Sequence, residues 1–363
     1  VKSTKIKGIV LAGSYPWGQS LFDRLRPRPL LPIAETPLIV YALRWLSEGG
    51  VSSATICANS AARAVRGALT DPALSGMDID FYEDWMPRGA AGCVRDAGHA
   101  SDADVFVVTD GTAIPSINLQ GLIETHAVCD AALTVVVHHD PTDADSAEDP
   151  GLNPGGIYVF SRRVFDCIPA RGFQDIKESL IPKLHSLGER VVVHTGFGAC
   201  PRVLNTETYL AVNQWMVSRL ASERRARPGY AALGEAMAHE SARLGANVRL
   251  VGPVVIGKDV TIGDGVTVVG PTTIGTGSVI EDNAVVSRSV VWDGCAIGPE
   301  AVLDRCLLAD HAAVRAGASL FSSLRSAHSA EAPRSRRSAP GAPTSASGER
   351  LHQPAATWHE GSV

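Results

Sequence analysis

From Ile6 to about Phe160 two kinds of pattern alternate along the chain. Short β-branched runs, KIKGIVLAG, SATICAN, MDIDFYE, DVFVVTD and AALTVVVHH, read as strands. Amphipathic stretches such as LIVYALRWLSEGG lie between them and read as helices. Repeated strand-helix alternation predicts an α/β arrangement with a mostly parallel sheet covered on both faces. Ligands of such sheets bind beyond the carboxyl ends of the strands, where Gly13 and Asp110 fall.

After Leu210 the pattern changes. AVNQWMVSRLASERRARPGYAALGEAMAHESARLGA is charged and helical in spacing, with a break at Pro228 and Gly229, and predicts a linker of two helices over 211–246. From Asn247 a period of six takes over: Ile256, Ile262, Val268, Ile274, Ile280 and Val286 recur, with Gly257, Gly263 and Gly275 following three of them. Neither a helix nor a flat sheet has that period; a parallel β-helix does, each turn stacking an aliphatic side chain on the one below. The spacing slips to five between Val286 and Val291 and resumes through Ile297 and Leu303, which predicts a bulging, irregular coil. Four segments result: an α/β domain over 1–210, the linker over 211–246, the β-helix over 247–321 and a tail over 322–363. The tail is rich in Ser, Ala, Pro and Arg and poor in aliphatic residues, a composition that cannot bury enough surface to fold. Its RSRR run reads as part of a solvated tail.

Composition narrows the function classes. The chain has 363 residues, 45% hydrophobic and 20% charged, with a formal net charge of -5. That balance supplies no general attraction to nucleic acid or to anionic lipid, so neither is expected as a partner. Apolar runs are short and interrupted, so no membrane-spanning helix is expected. The basic VKSTKIKG start is followed by a strand pattern and not by a secretory core, and a cytoplasmic location is the expectation. Seven cysteines are scattered with no Cys-x-x-Cys pair, which argues for reduced, structural thiols and against a zinc site.

A strand ending in a Gly loop and followed by PRPLLPIAETPLI resembles the opening of the sugar-phosphate nucleotidyltransferases, or nucleotide-sugar pyrophosphorylases. In order along the chain, RGAAGCVRDA is similar to their nucleotide-base segment, VVTDG to their metal-aspartate strand and GGIYVF to their sugar-side strand. GFQDIKESLIPKL and NTETYLAVN fit the end of their catalytic domain, and SRSVVWDGCAIGPEAVLDRCLLAD resembles the β-helix of the mannose-1-phosphate guanylyltransferase and glucose-1-phosphate adenylyltransferase branches. The resemblance covers roughly residues 5 to 320. It implies a Rossmann-like nucleotidyltransferase domain followed by a left-handed parallel β-helix of hexapeptide repeats. It also implies a reaction in which a sugar 1-phosphate displaces pyrophosphate from a nucleoside triphosphate, with Mg2+ as cofactor if the chain is active. Such an enzyme works mainly by positioning phosphates and neutralising their charge. Transferred residue by residue, the resemblance assigns nucleotide binding to Ala12, Gly13, Gly89, Ala90, Ala91 and Gly92, the position of a catalytic lysine to Arg28, and a metal carboxylate to Asp110.

The same comparison exposes what has been exchanged. Against the family opening Ala-Gly-Gly-x-Gly-Thr-Arg-Leu and its Pro-Lys-Pro, this chain has Ser14, Pro16, Trp17 and Gly18 in place of Gly, Gly, Thr and Arg, and Arg28 in place of Lys. Pro16 has no N-H to offer a phosphate, Gly18 no guanidinium, and a planar guanidinium does not place charge as an ammonium does. No lysine occurs between Lys7 and Lys177, so the sugar-side lysine is missing as well, and the stretch before GGIYVF, HHDPTDADSAEDPGLNP, is acidic. The second metal aspartate of the family pattern is replaced by Arg202, which would repel the ion.

Several residues keep two readings each. Asp110 serves a metal or caps its turn; Arg24, Arg26 and Arg28 bind phosphate or form an exposed basic face. GAAG at Gly89–Gly92 holds a base or starts a helix tightly. His138, His139 and Asp140 are a metal cluster or an ordinary strand end, and His311 is a general base or a solvent-facing side chain. Three functions compete. One is a degenerate relative that binds a nucleoside triphosphate or NDP-sugar and acts as a regulatory or scaffolding pseudoenzyme in NDP-sugar and polysaccharide biosynthesis. Another is an active sugar-1-phosphate nucleotidyltransferase, and the third is a hexapeptide acyltransferase working through His311. Stacked coils leave exposed ends, so a homo-oligomer, or a hetero-oligomer with an active paralogue, is expected.

Overall fold

A computed structural model of the chain describes residues 4–13, 20–59, 62–83, 86, 88–139, 152–196, 200–224 and 227–327, with the side chains of His138, His139 and residues 152–154 excepted. The five strands expected from β-branched runs form, as β1 (Ile6–Leu11), β4 (Ser53–Ala58), β5 (Asp78–Glu83), β6 (Val105–Asp110) and β7 (Leu133–His139); β8 (Leu152–Ser161) carries GGIYVF, and the short pair β2 (Pro32–Ile33) and β3 (Thr36–Pro37) and the strand β9 (Val191–Thr195) were not expected. One seven-stranded sheet has the order β5-β4-β1-β6-β8-β7-β9. It is parallel from β5 to β6, while β8 runs antiparallel to both of its neighbours. Successive residues of a strand face opposite sides, so a strand buried on both faces is apolar throughout. In β1, Val10 belongs to one buried cluster and Ile9 to the other.

Helices α1 (Leu21–Leu25), α2 (Leu38–Glu48), α3 (Ala62–Ala68), α4 (Gly89–His99), α5 (Leu119–Val128) and α6 (Ile181–Ser186) connect the strands. α2 buries Leu38, Ile39, Leu43 and Leu46, and each such side chain contributes roughly 1.5–3 kcal/mol of transfer free energy. It ends at Gly49, where a Cβ would sit 2.3 Å from the Leu119 side chain of α5, so glycine both stops the helix and lets the two helices touch.

The expected two-helix linker is half wrong. α7 (Thr206–Glu223) starts on a capping box between Asn205 and Thr208 and is a buried part of the molecule. Its Tyr209, Val212 and Met216 share a core with Phe22, Leu31 and Ile33 on one side and with Val255, Val290 and Trp292 of the β-helix on the other. The second predicted helix is instead a hairpin, β10 (Tyr230–Leu233) and β11 (Ala236–His239), with β11 pairing in parallel to Val254–Ile256. Gly229, at φ +76°, turns the chain after α7. Ala236 and Ala238 then face the β-helix interior, an alternation of period two that alanine's high helix propensity hides.

The β-helix has three sheets, of seven, five and five strands, parallel throughout except where β10 pairs antiparallel with β11. Ile256, Ile262, Val268, Ile274, Ile280 and Val286, the six-residue series, all lie in its buried interior. The slip at Val286 is no isolated bulge. Val255 pairs with Thr273 but Val290 pairs with Leu307, so every later coil is one residue shorter, at the same corner. That corner is closed by Arg288 and Arg305 in the left-handed conformation, at φ 46° and 53°. The predicted tail also begins later than expected, because Leu324–Arg325 pairs with Leu307–Leu308 and closes the last coil. The tail from residue 328 on, RSRR included, lies outside the described residues.

Candidate functional site

Three adjacent strands end at one level: Leu11 of β1 is in register with Cys57 of β4 and with Asp110 of β6. Beyond this edge lies a pocket of about 700 Å³. Parallel strands point their carboxyl ends the same way, so the loops after them must meet here. Of the residues expected at the site, Gly13, Arg28, Gly89, Ala90 and Asp110 line the pocket. Ala12 is fully buried at the end of β1, its N-H bonded to the Cys57 carbonyl at 2.7 Å. Ala91 and Gly92 are also buried, and their amides donate to the Gln174 carbonyl at 3.0 and 3.3 Å. Those two α4 amides are spent within the protein, while Gly89, at φ +71°, makes the tight entry with its Cα facing the Gln174 backbone. Ser14, Pro16, Trp17 and Gly18 lie outside the described residues, as do Asp140 and the side chains of His138 and His139.

The three arginines of LFDRLRPRP separate. Arg24 is exposed. Arg26 leaves the pocket for the β-helix, where it grips Asp310 through Nε and Nη2 at 2.8 and 2.6 Å and stacks on Trp292 with its Cζ 5.1 Å from the ring. Arg28 stays on the pocket wall but donates from Nη2 to Asp23 at 2.8 Å. Its hydrogen bond, followed by that of Ser20, holds the Asp23 carboxyl below the usual carboxylate range. A paired guanidinium is a weaker phosphate clamp than a free ammonium.

Of the two readings of Asp110, the turn cap is the one its hydrogen bonds show. Oδ1 accepts from the Thr112 N-H at 2.9 Å and from the Thr112 hydroxyl at 2.8 Å, the turn cap. Oδ2 is bonded by Nη2 of Arg202. Arg202 is delivered by backbone pairing: it bridges Ala113, and Pro201 and Val203 bond to Ile114 and Thr112 on either side. Mg2+ seeks about six oxygen ligands in octahedral order. Here one carboxylate is already occupied on both oxygens and the group bonded to it is a guanidinium, so the residues present do not fit the ion. Among the described residues no group of three His, Cys, Asp or Glu side chains converges on a common point.

Several pocket residues escaped the sequence reading, four of them with chemistry to offer. Lys177 and Asp175 come from the GFQDIKESLIPKL segment, Tyr158 from β8, and Phe173 stands exposed at the rim. Asp175 caps the following helical turn by accepting from the Lys177 and Glu178 amides at 2.7 and 3.1 Å, which carries Lys177 to the pocket. Only an Asp before an apolar run signalled that turn, and nothing in the sequence said which way it pointed. Tyr158 is 7% exposed and makes no hydrogen bond among the described residues. Burial pushes its phenol up to about 12, so it is a neutral donor. His311 lies at a β-helix corner, φ +57°, with Nδ1 over Gly294 and its side chain exposed, an arrangement that serves the stacking of coils.

A family model, the GMPPB C-terminal domain, matches residues 232–328. The chain is 24% identical over 321 residues to mannose-1-phosphate guanylyltransferase of Mycobacterium tuberculosis, covering 83% of this chain and 84% of the relative. It is 25% identical over 337 residues to probable mannose-1-phosphate guanylyltransferase 2 of Oryza sativa subsp. japonica, with 85% and 87% covered. A third likeness, 25% over 285 residues, is to glucose-1-phosphate thymidylyltransferase of Streptomyces antibioticus, with 69% and 78% covered. Among the described residues no helix is long and apolar enough to cross a membrane. These likenesses run through the pocket-bearing sheet and the β-helix alike, and they support similarity to the sugar-phosphate nucleotidyltransferases with a C-terminal hexapeptide-like domain.

Proposed function

We propose that this protein binds a nucleotide, as a nucleoside triphosphate or an NDP-sugar, in the pocket at the sheet edge, and serves NDP-sugar and polysaccharide biosynthesis as a regulatory or scaffolding subunit with weak or no transferase activity. The observation that carries the reading is the Arg202–Asp110 pair, which removes the second carboxylate of the family pattern and occupies the first. The Arg28–Asp23 pair supports it, because a phosphoryl transferase relies on free positive charge at the transferring group. Loss of one such group commonly lowers a rate by about a hundredfold or more. Retention of a ligand is supported by the pocket's size, by the rim aromatic Phe173, whose ring suits stacking on a base, and by the free Tyr158 hydroxyl.

An active nucleotidyltransferase is the second reading. Lys177 favours it, since an ammonium on the pocket wall is the kind of group that would meet a sugar phosphate. One experiment decides: pyrophosphate release by the purified protein with each pairing of GTP, UTP, dTTP or ATP with mannose 1-phosphate or glucose 1-phosphate. Our reading expects no release above background and a thermal shift with at least one nucleotide. Turnover on the order of 1 s⁻¹ with any pair would establish the enzyme instead.

A further inference from the structure

We infer that the pocket takes its ligand without a divalent ion, that Arg202 supplies the positive charge in the ion's place, and that the ligand is an NDP-sugar and not a metal-chelated triphosphate. This rests on the nucleotide-binding reading above and narrows it.

Three observations carry it. The first is that Arg202 is built in. Its backbone bridges Ala113, its guanidinium is bonded to Asp110, and it lies against Gly156, where a Cβ would come within 3.8 Å of Cζ. A dication arriving at Asp110 would have to displace this pair and then sit beside an unpaired guanidinium, a like-charge contact in a half-buried site. Arg202 has further N-H groups, and pairing through Nη2 does not exhaust a five-donor fork.

The second observation is the charge of the wall. Among the described residues the pocket presents Arg28, Lys177 and Arg202, against Asp110 and Asp175, with Asp23 bonded to Arg28. Cations and carboxylates balance. A nucleoside triphosphate carries roughly four negative charges and needs a metal or surplus cations, whereas the diphosphate of an NDP-sugar carries roughly two. Lys177 is the one cation of the three without an ion pair among the described residues, so beyond it the wall offers only the N-H groups of Arg202 that Asp110 leaves unused, too little for a tetra-anion without a metal and better suited to the smaller charge of a diphosphate. The third observation is Tyr158, whose nearly buried phenol faces the same space with no hydrogen-bond partner among the described residues. A sugar hydroxyl or a phosphate oxygen would satisfy it.

The test is isothermal titration of the full chain with GDP-mannose, UDP-glucose and dTDP-glucose, and with GTP, UTP and dTTP, each in EDTA and in Mg2+. At least one NDP-sugar is expected to bind with the same Kd in both buffers, within about twofold, and more tightly than its triphosphate does in Mg2+. Arg202→Gln, which shortens the side chain but keeps it polar and removes its charge, is expected to weaken NDP-sugar binding by about tenfold or more in both buffers. Arg202→Asp is expected to create a requirement for the ion, visible as Mn2+ bound in the presence of nucleotide by electron paramagnetic resonance, where the parent protein shows none. Binding that tightens by about tenfold or more with Mg2+ would overturn the inference and leave nucleotide binding standing. An unchanged Kd in a folded Arg202→Gln protein would also overturn it. Absence of binding by every nucleotide in both buffers would overturn the binding reading itself, and the inference with it.

Discussion

The grip of Arg26 on the β-helix is the contact whose strength can be worked out most directly. Its two hydrogen bonds to Asp310, at 2.8 and 2.6 Å, are bidentate, and both side chains are under a third exposed. Unit charges about 4 Å apart at an effective dielectric near 20 attract by about 4 kcal/mol. Fixing an arginine side chain offsets roughly 2 kcal/mol of that. A coupling energy of about 2 kcal/mol is left, within the range for charge-assisted hydrogen bonds. A double-mutant cycle of Arg26→Ala and Asp310→Ala, followed by chemical denaturation, measures it. The single changes should differ in cost. Asp310→Ala leaves Arg26 its weaker contact to Asp293 at 3.4 Å, whereas Arg26→Ala strips the Trp292 face and leaves Asp293 and Asp310 unneutralised. A coupling below about 0.5 kcal/mol would place the pair among ordinary surface ion pairs and refute the claim that it ties the loop after the pocket to the β-helix.

Other consequences follow from single residues. Glu35 reaches from the α/β domain to Thr276, and burial, then the nearby Asp293 charge, raises its carboxyl to about 7. A carboxyl raised in the folded state adds stability that is full below its unfolded value and lost as pH rises through about 7, so thermal unfolding should shift downward between pH 5 and 8, and Glu35→Gln should flatten that slope. His126 has the opposite sign. Ser161 donates to the Ala131 carbonyl, so its oxygen accepts from Nε2-H of His126, and Nδ1 accepts from Thr134. Burial lowers this histidine to about 4, so stability should fall as pH drops from 6.5 toward 4, and thermal melts of His126→Gln should lose that part of the acid sensitivity. At Gly89 an added Cβ would lie 2.4 Å from the Gln174 carbonyl oxygen at a φ of +71°; Gly89→Ala should cost about 2 kcal/mol or more, read as a lowered melting temperature.

Period and composition settled a large part of this molecule. Central runs such as those of β1 and β6 became strands with side chains buried on both faces, the edge run of β5 one with acidic residues exposed, and the six-residue aliphatic series became a β-helix because no other regular backbone repeats at that length. That Arg202 stands where the resemblance places a second aspartate was an expectation from the chain alone. Tertiary structure decided the rest. Only the register of β1, β4 and β6 brings Leu11, Cys57 and Asp110 to one level, and only the bridge from Ala113 to Arg202 lays that guanidinium on a carboxylate ninety-two positions away. Arg26 and Arg28, neighbours in the sequence, part because a charge goes where its partner stands, and Asp310 and Asp23 lie in different domains. Alanines of β11 favour a helix by propensity and become strand only where a β-helix is present to cover them. Local pattern fixes which residues must be buried or extended; which distant groups then meet depends on packing, and that information is spread over the whole chain.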